Sequence, residues 1–303
     1  MRYRKLLFSF VLLMSQITAS SQNPASVFIT AGQSNAEGRE SVEYLPAYLN
    51  DSCYKHLRYA FVRSEQSGKF GNFKFGDTFA FCDVTNYFID SALNTDFYAI
   101  KCTYGGTAIA PGITEAGKPI WYANRNWIKG NKAHCSGKGG MSLTLSLTEG
   151  FTKCVDTTLS HLPDGYDVKA IMWHQGESDR NKADDYYQNF KDMITFMREQ
   201  IYSVTKNEKD KTLPFIFGTV SHASHQYNPV VEAAQFKVAR ELPNVYAIDL
   251  SDTGLQVDKL HFDGPWTEYV GKLMFNKLVE LKLVNAKLVE VVKPLAEDTK
   301  SPM

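Results

Sequence analysis

The sequence predicts an α/β fold, a three-layer α/β/α sandwich in which a five-stranded parallel sheet is covered by helices on both faces. Three observations predict it. Five short β-prone runs recur along the chain, at 27–31, 97–103, 168–173, 213–220 and 245–250. Stretches of helical periodicity lie between most of them, as crossovers between parallel strands require. The runs also open at their carboxyl ends into polar or glycine-containing loops, and at that edge open α/β sheets bind their ligands. No internal repeat and no second-domain linker interrupts this order, so one domain over 22–285 is expected, with 286–303 as a tail.

The chain opens on a basic run, Met1-Arg-Tyr-Arg-Lys5, followed by apolar residues from Leu6 to Met14 and by the small residues Ala19-Ser20-Ser21. That is the pattern of a secretory signal peptide over 1–21, with an apolar run short for a membrane span. The expectation is an exported protein, secreted or periplasmic, with no stable membrane partner. Of 303 residues, 33 are basic and 33 acidic, a formal charge of zero. A general polyanion binder carries a basic excess, so nucleic acid is excluded as a partner class. Cys53, Cys82, Cys102, Cys135 and Cys154 are odd in number and lack metal-ligand spacing. They carry little functional information.

The first strand runs into Gly32-Gln33-Ser34-Asn35 and leaves through Gly38-Arg39. A strand ending on Gly-x-Ser-Asn delivers a hydroxyl to the sheet edge, with unpaired N–H groups beside it. A serine at that place is by itself equally a turn cap. Residues 40–76 lack a steady period and read as a long irregular excursion, and Gly76-Asp77-Thr78 starts a helix carrying Phe79, Cys82, Phe88 and Leu93. The second strand, Phe97–Thr103, ends on Tyr104-Gly105-Gly106-Thr107, where a glycine pair permits close backbone approach.

Residues 108–140 read as a loop, with Trp121, Tyr122 and Trp127 either pinning it to the core or offered to sugar faces. Within it, Gly112-x-x-x-x-Gly117-Lys118 imitates a phosphate loop. Pro119 follows where a magnesium-binding hydroxyl is needed, and no strand leads in, so that reading is rejected. Leu143, Leu147, Phe151, Val155 and Leu159 make an amphipathic helix within Met141–Leu162. The third strand, Val168–Trp173, opens onto His174-Gln175-Gly176-Glu177-Ser178-Asp179. A helix over 184–202 follows, with Tyr187, Phe190, Ile194, Met197 and Ile201 expected inward. Leu213–Val220 is the fourth strand, and the helix Pro229–Leu242 starts on proline, as helices often do. After the fifth strand, Val245–Leu250, comes Asp258-x-x-His261-Phe262, and a helix from Trp266 to Leu283 closes the domain.

The strand edges thus offer a serine, a glycine pair, a glutamine amide and an Asp/His pair. Nucleophilic acyl transfer needs a hydroxyl, a base, an orienting carboxylate and donors for an oxyanion, and this inventory holds each type. The same loops permit a rival, a metal-dependent hydrolase using His174, Glu177, His222 and His225. A second rival is a non-catalytic carbohydrate-binding protein on the same fold.

The ordered blocks Gly32-Gln33-Ser34-Asn35, Gly105-Gly106-Thr107, His174-Gln175-Gly176-Glu177-Ser178-Asp179 and Asp258-x-x-His261-Phe262 resemble those of the SGNH hydrolases. Within that superfamily they resemble carbohydrate acetylesterases of the sialate O-acetylesterase and acetylxylan esterase types. The resemblance spans about 27–283, and its Gln-Ser-Asn and His-Gln-Gly-Glu-Ser-Asp runs are the specific ones. It implies a flavodoxin-like sheet, Ser34 as nucleophile, His261 as general base and Asp258 as its partner. It also implies an oxyanion hole from the Ser34 amide, a glycine amide, taken as Gly105 rather than Gly106, and Gln175. Gln33, Asn35, Glu177 and Asp179 become a supporting polar network. The implied substrate is an O-acetylated carbohydrate (xylan, sialic acid or a related glycan), with no metal or organic cofactor. Ala36 stands where the family often has methionine. It also occupies the last glycine position of a Gly-x-Ser-x-Gly elbow, so the chain lacks that motif.

Overall fold

The computed structural model describes residues 23–62, 68–110, 120–130 and 142–295. Its centre is a six-stranded parallel sheet. The chain starts in β1 (Ala25–Gly32), turns through the single-turn helix α1 (Ser34–Glu37), and lays down β2 (Glu40–Ser41) and β3 (Leu57–Phe61). β4 (Thr78–Phe79) pairs antiparallel with β2, and α2 (Phe81–Ala92) leads into β5 (Phe97–Thr103). Then follow α3 (Arg125–Gly130), α4 (Leu143–Thr157), β6 (Tyr166–His174) and α5 (Ala183–Thr205). β7 (Phe215–Gly218), α6 (Pro229–Glu241), β8 (Val245–Ile248) and α7 (Gly264–Glu280) complete it.

The sheet order is β3-β5-β1-β6-β7-β8. β1 lies between strands laid down on opposite sides of it, so the winding reverses direction there, and the rim beside β1 is where such sheets bind ligands. Alternation along β1 builds both core layers. Val27, Ile29 and Ala31 face the layer that contains Leu147 and Phe151 of α4, Phe190 of α5 and Val238 of α6. Phe28 faces the opposite layer, with Phe81 and Ile89 of α2 and Val270 and Met274 of α7. Strands buried on both faces are predominantly apolar, which makes these runs legible in the sequence.

Three expectations change. The sheet has a sixth strand, β3, inside the stretch read as irregular. It joins the sheet through β5 at the edge, with one further bridge from Tyr59 to Gly71, alternates burial poorly, and so lacks the period that marks a strand. The helix expected to start at 76–78 starts at Phe81. Thr78 and Phe79 are drawn into the β2–β4 ribbon, and the Asp83 carboxylate accepts from Ala80 N at 2.8 Å at the helix start. On α5 the buried tyrosine is Tyr186, while Tyr187 is partly exposed and its hydroxyl donates to Glu241.

The phosphate-loop look-alike at Gly112–Lys118 lies outside the described residues, as do the leader and Cys135. Cys53, Cys82, Cys102 and Cys154 form no disulfide among themselves. Among the described residues no helix is long and apolar enough to cross a membrane. Residues after α7 are held to it where Asn276 exchanges two 2.8 Å hydrogen bonds with the Val289 backbone.

Candidate active site

β1 ends on a residue that has to be glycine. Gly32 adopts φ +133°, and a Cβ there would lie 2.1 Å from the His174 carbonyl oxygen of the neighbouring strand. The close approach lets Gln33 N donate to His174 O at 3.0 Å and turns the chain straight into α1. Ser34 and Asn35 therefore open a helical turn at the carboxyl rim. Their N–H groups have no internal partner, as at any helix start. Ser34 is buried, and no hydrogen bond engages its hydroxyl among the described residues.

Asp258 and His261 come from the loop between β8 and α7. Asp258 Oδ2 lies 2.5 Å from His261 Nδ1, and Oδ1 accepts from the N–H groups of Leu260 (2.9 Å) and His261 (3.0 Å). Partial burial acts most strongly on this carboxyl and pushes its pKa up. The donated N–H groups and the imidazole outweigh it, and the net effect is a pKa below the ordinary 3.8. The carboxylate stays ionised and engages Nδ1 rather than Nε2. Gln256 N donates to His261 O at 2.8 Å and closes the loop on itself.

Asn35 joins the two parts. Its Nδ2 donates to Leu260 O at 3.2 Å and its Oδ1 accepts from Phe262 N at 3.1 Å, so one side chain grips the backbone on both sides of His261. The same Nδ2 donates to Glu177 Oε1 at 2.9 Å. Gln33 Oε1 accepts from Ser178 N at 3.4 Å. The residues flanking Ser34 thus tie β1, the loop after β6 and the Asp258–His261 loop into one network. His174 sits beneath it, edge-on to Phe262 and fully buried, and burial lowers its pKa from 6.5 despite Glu177 Oε1 at 3.7 Å.

Two of the expected oxyanion donors are already engaged. Gln175 is wholly buried, and its carboxamide has two N–H bonds to give. One goes to Thr107 O (3.2 Å) and one to Asp179 Oδ2 (2.5 Å), while Oε1 accepts from Tyr186 (3.1 Å). Gln175 therefore belongs to the framework. Gly105 gives its N–H to Glu37 Oε2 at 2.8 Å. The N–H of Gly106, at φ +70°, has no partner among the described residues, and it replaces Gly105 as the candidate. Asp179 holds the loop after β5 through Ile109 N (2.8 Å) and Ala110 N (2.9 Å). Burial pushes its pKa up to about 6, against the pull of those donors.

The four groups of the metal reading are dispersed. His222 pairs with Glu232 at 2.8 Å, the His225 ring meets Lys259 O at 3.0 Å, and His174 and Glu177 are in the interior. Among the described residues no three His, Cys, Asp or Glu side chains are placed to hold one ion. Trp121 packs edge-on against Trp173 and donates to Thr107 Oγ1 at 3.1 Å, so it pins its loop to the core. Sequence reasoning missed Glu37 and Lys101, whose contacts hold the far end of α1. Nothing in the spacing of a lone strand lysine marks it.

Residues 99–280 match the family model described as carbohydrate esterase, sialic acid-specific acetylesterase. The match contains Asp258 and His261 and begins after Ser34. No curated protein matches the chain. Among solved structures, NanS is similar at TM-score 0.61 and 13% identity, covering 86% of this chain and 99% of that one. A protein from Arabidopsis thaliana is similar at TM-score 0.60 and 19% identity, covering 85% and 98%. XAC1771, a carbohydrate acetylesterase from Xanthomonas citri, is similar at TM-score 0.53 and 19% identity. That likeness covers 83% of this chain and 55% of XAC1771. Likenesses at these identities show the fold.

Proposed function

The chain belongs to the sialic acid-specific acetylesterases among the carbohydrate esterases, and from that premise we propose that it removes O-acetyl groups from a glycan through Ser34. Ser34 Oγ attacks the acetyl carbonyl while His261 Nε2 takes its proton. Asp258 holds Nδ1 and stabilises the imidazolium that forms. The tetrahedral oxyanion meets the N–H groups of Ser34 and Gly106. His261 then returns the proton to the departing sugar oxygen, leaving acetyl-Ser34. Water repeats the sequence, with His261 as base, and releases acetate.

The observation that carries this reading is the grip of Asn35 on both sides of His261, which seats the base loop against the turn that starts at Ser34. Export after removal of residues 1–21 and a carbohydrate ester as substrate complete the reading. The test is acetate release from acetylated xylan, acetylated sialic acid and a small acetyl ester, by wild type, Ser34→Ala and Asp258→Asn, with and without a chelator. Chelator-insensitive release abolished in Ser34→Ala supports the serine mechanism, and release at the wild-type rate from Ser34→Ala refutes it.

A further inference from the structure

Lys101 is a lysine buried within the sheet. It lies in β5, opposite Thr30 of β1 and Phe61 of β3, and is 7% exposed. Its Nζ donates at 2.8 Å to the carbonyl of Glu37, the last residue of α1. Just beyond the end of the same strand, Gly105 N donates to Glu37 Oε2 at 2.8 Å, and Arg39 Nη2 closes on that oxygen at 2.6 Å. β5 and the loop that follows it thus hold Glu37 at two atoms, one of the backbone and one of the side chain.

A four-residue turn does not sustain itself, because helix nucleation fixes several residues for each hydrogen bond formed. α1 has only a few such bonds, among them Gly38 N to Ser34 O and Glu37 N to Gln33 O, both 2.9 Å. Its far end needs an anchor from elsewhere, and a cation suits the carboxyl end of a helical turn. Burial acts most strongly on Lys101 and lowers its pKa. Cys82, Asp83 and Tyr59 around it outweigh that, and the net shift is upward.

We infer that Lys101 is a positioning residue for ester cleavage: through Glu37 it anchors the turn that presents Ser34 against the glycine loop at the end of β5. The inference rests on the assignment of Ser34 as nucleophile. Displacement of a nucleophile by about 1 Å costs on the order of 100-fold in rate. A loss of that kind falls on kcat, because Lys101 is buried away from substrate.

The experiment is steady-state and burst kinetics on 4-nitrophenyl acetate for wild type, Lys101→Met, Lys101→Arg and Ser34→Ala, at a temperature where melting curves show each protein folded. The expected result is a kcat at least about tenfold lower in Lys101→Met, with KM within threefold and a slowed acetylation burst. Lys101→Arg, which keeps the charge and the donor, recovers part of the loss. A smaller drop in kcat, or a loss confined to KM, overturns the inference whatever happens to the melting temperature. If Lys101→Met does not fold, Lys101→Gln, which keeps a polar side chain of similar size but loses the ammonium, carries the same expectation. Ser34→Ala separates the two ideas. If it retains activity the nucleophile assignment fails, and if it is inert while Lys101→Met runs at full rate only the role of Lys101 fails.

Discussion

Asn35 stands next to the proposed nucleophile in sequence and brackets His261 in space, with Nδ2 on Leu260 O at 3.2 Å and Oδ1 on Phe262 N at 3.1 Å. A carboxamide donates from its nitrogen and accepts at a separate oxygen, where a hydroxyl must do both through a single atom. Asn35→Ala removes both contacts and leaves the Phe262 N–H and Glu177 Oε1 buried without this partner. The expected outcome is a kcat lower by about 100-fold and an unfolding free energy lower by about 1–3 kcal/mol. Asn35→Asp keeps the acceptor but sets a second carboxyl against Glu177, and is expected to be no better. Kinetics and urea unfolding on the same preparations check both.

Asp258 and His261 are joined by one loop, so replacing the carboxylate need not disturb the fold. Asp258→Asn is expected to lower kcat by about a thousandfold or more, with the melting temperature within a few degrees of wild type. A loss of less than tenfold would assign His261 a role that does not depend on its partner.

Gln175 is the residue for which two readings predict different numbers. With both N–H bonds committed to Thr107 and Asp179, Gln175→Leu is expected to cost stability, about 1–3 kcal/mol, and less than tenfold in kcat. An oxyanion donor lost would cost about 100- to 1000-fold in kcat. Urea midpoints beside kcat on a small acetyl ester distinguish the two.

The buried titratable groups set opposite trends with pH. His174 has a folded pKa below 6.5, so the unfolded chain binds more protons as pH falls through 6.5, and the stability of the neutral ring is lost on that descent. Asp179, raised to about 6 from 3.8, behaves conversely: its contribution is complete below 3.8 and is lost as pH rises toward 6. The stability difference between wild type and His174→Asn is therefore expected to shrink from pH 8 to pH 5. That between wild type and Asp179→Asn is expected to shrink from pH 4 to pH 6.5. Urea unfolding across that range reads both slopes.

Gly32 admits no side chain. Gly32→Ala places a Cβ on the His174 carbonyl at a φ of +133°, and is expected to destabilise by about 3 kcal/mol or more. Calorimetry checks it, and a soluble variant with an unchanged melting temperature would count against the turn as drawn.

The sequence by itself determined the α/β class, five of the six strands and which loops meet at one rim. Parallel strands buried on both faces are continuous apolar runs, and the glycine and polar residues that end them are read without any knowledge of pairing. Ser34, Asp258 and His261, the proposed catalytic residues, can be named from sequence because each sits directly in such a loop. Tertiary structure decided the rest, for a common physical reason: hydrogen-bond capacity is finite, and its allocation depends on neighbours far away in the chain. Gln175 has two N–H bonds, and only the fold shows that Thr107 and Asp179 take them. Gly105 looks like an open amide until Glu37 folds over it. The edge strand β3 exists because β5 offers it a free ladder, not because 57–61 has a period. Lys101 acquires its partner, the Glu37 carbonyl 64 residues earlier, only when β5 is laid beside β1.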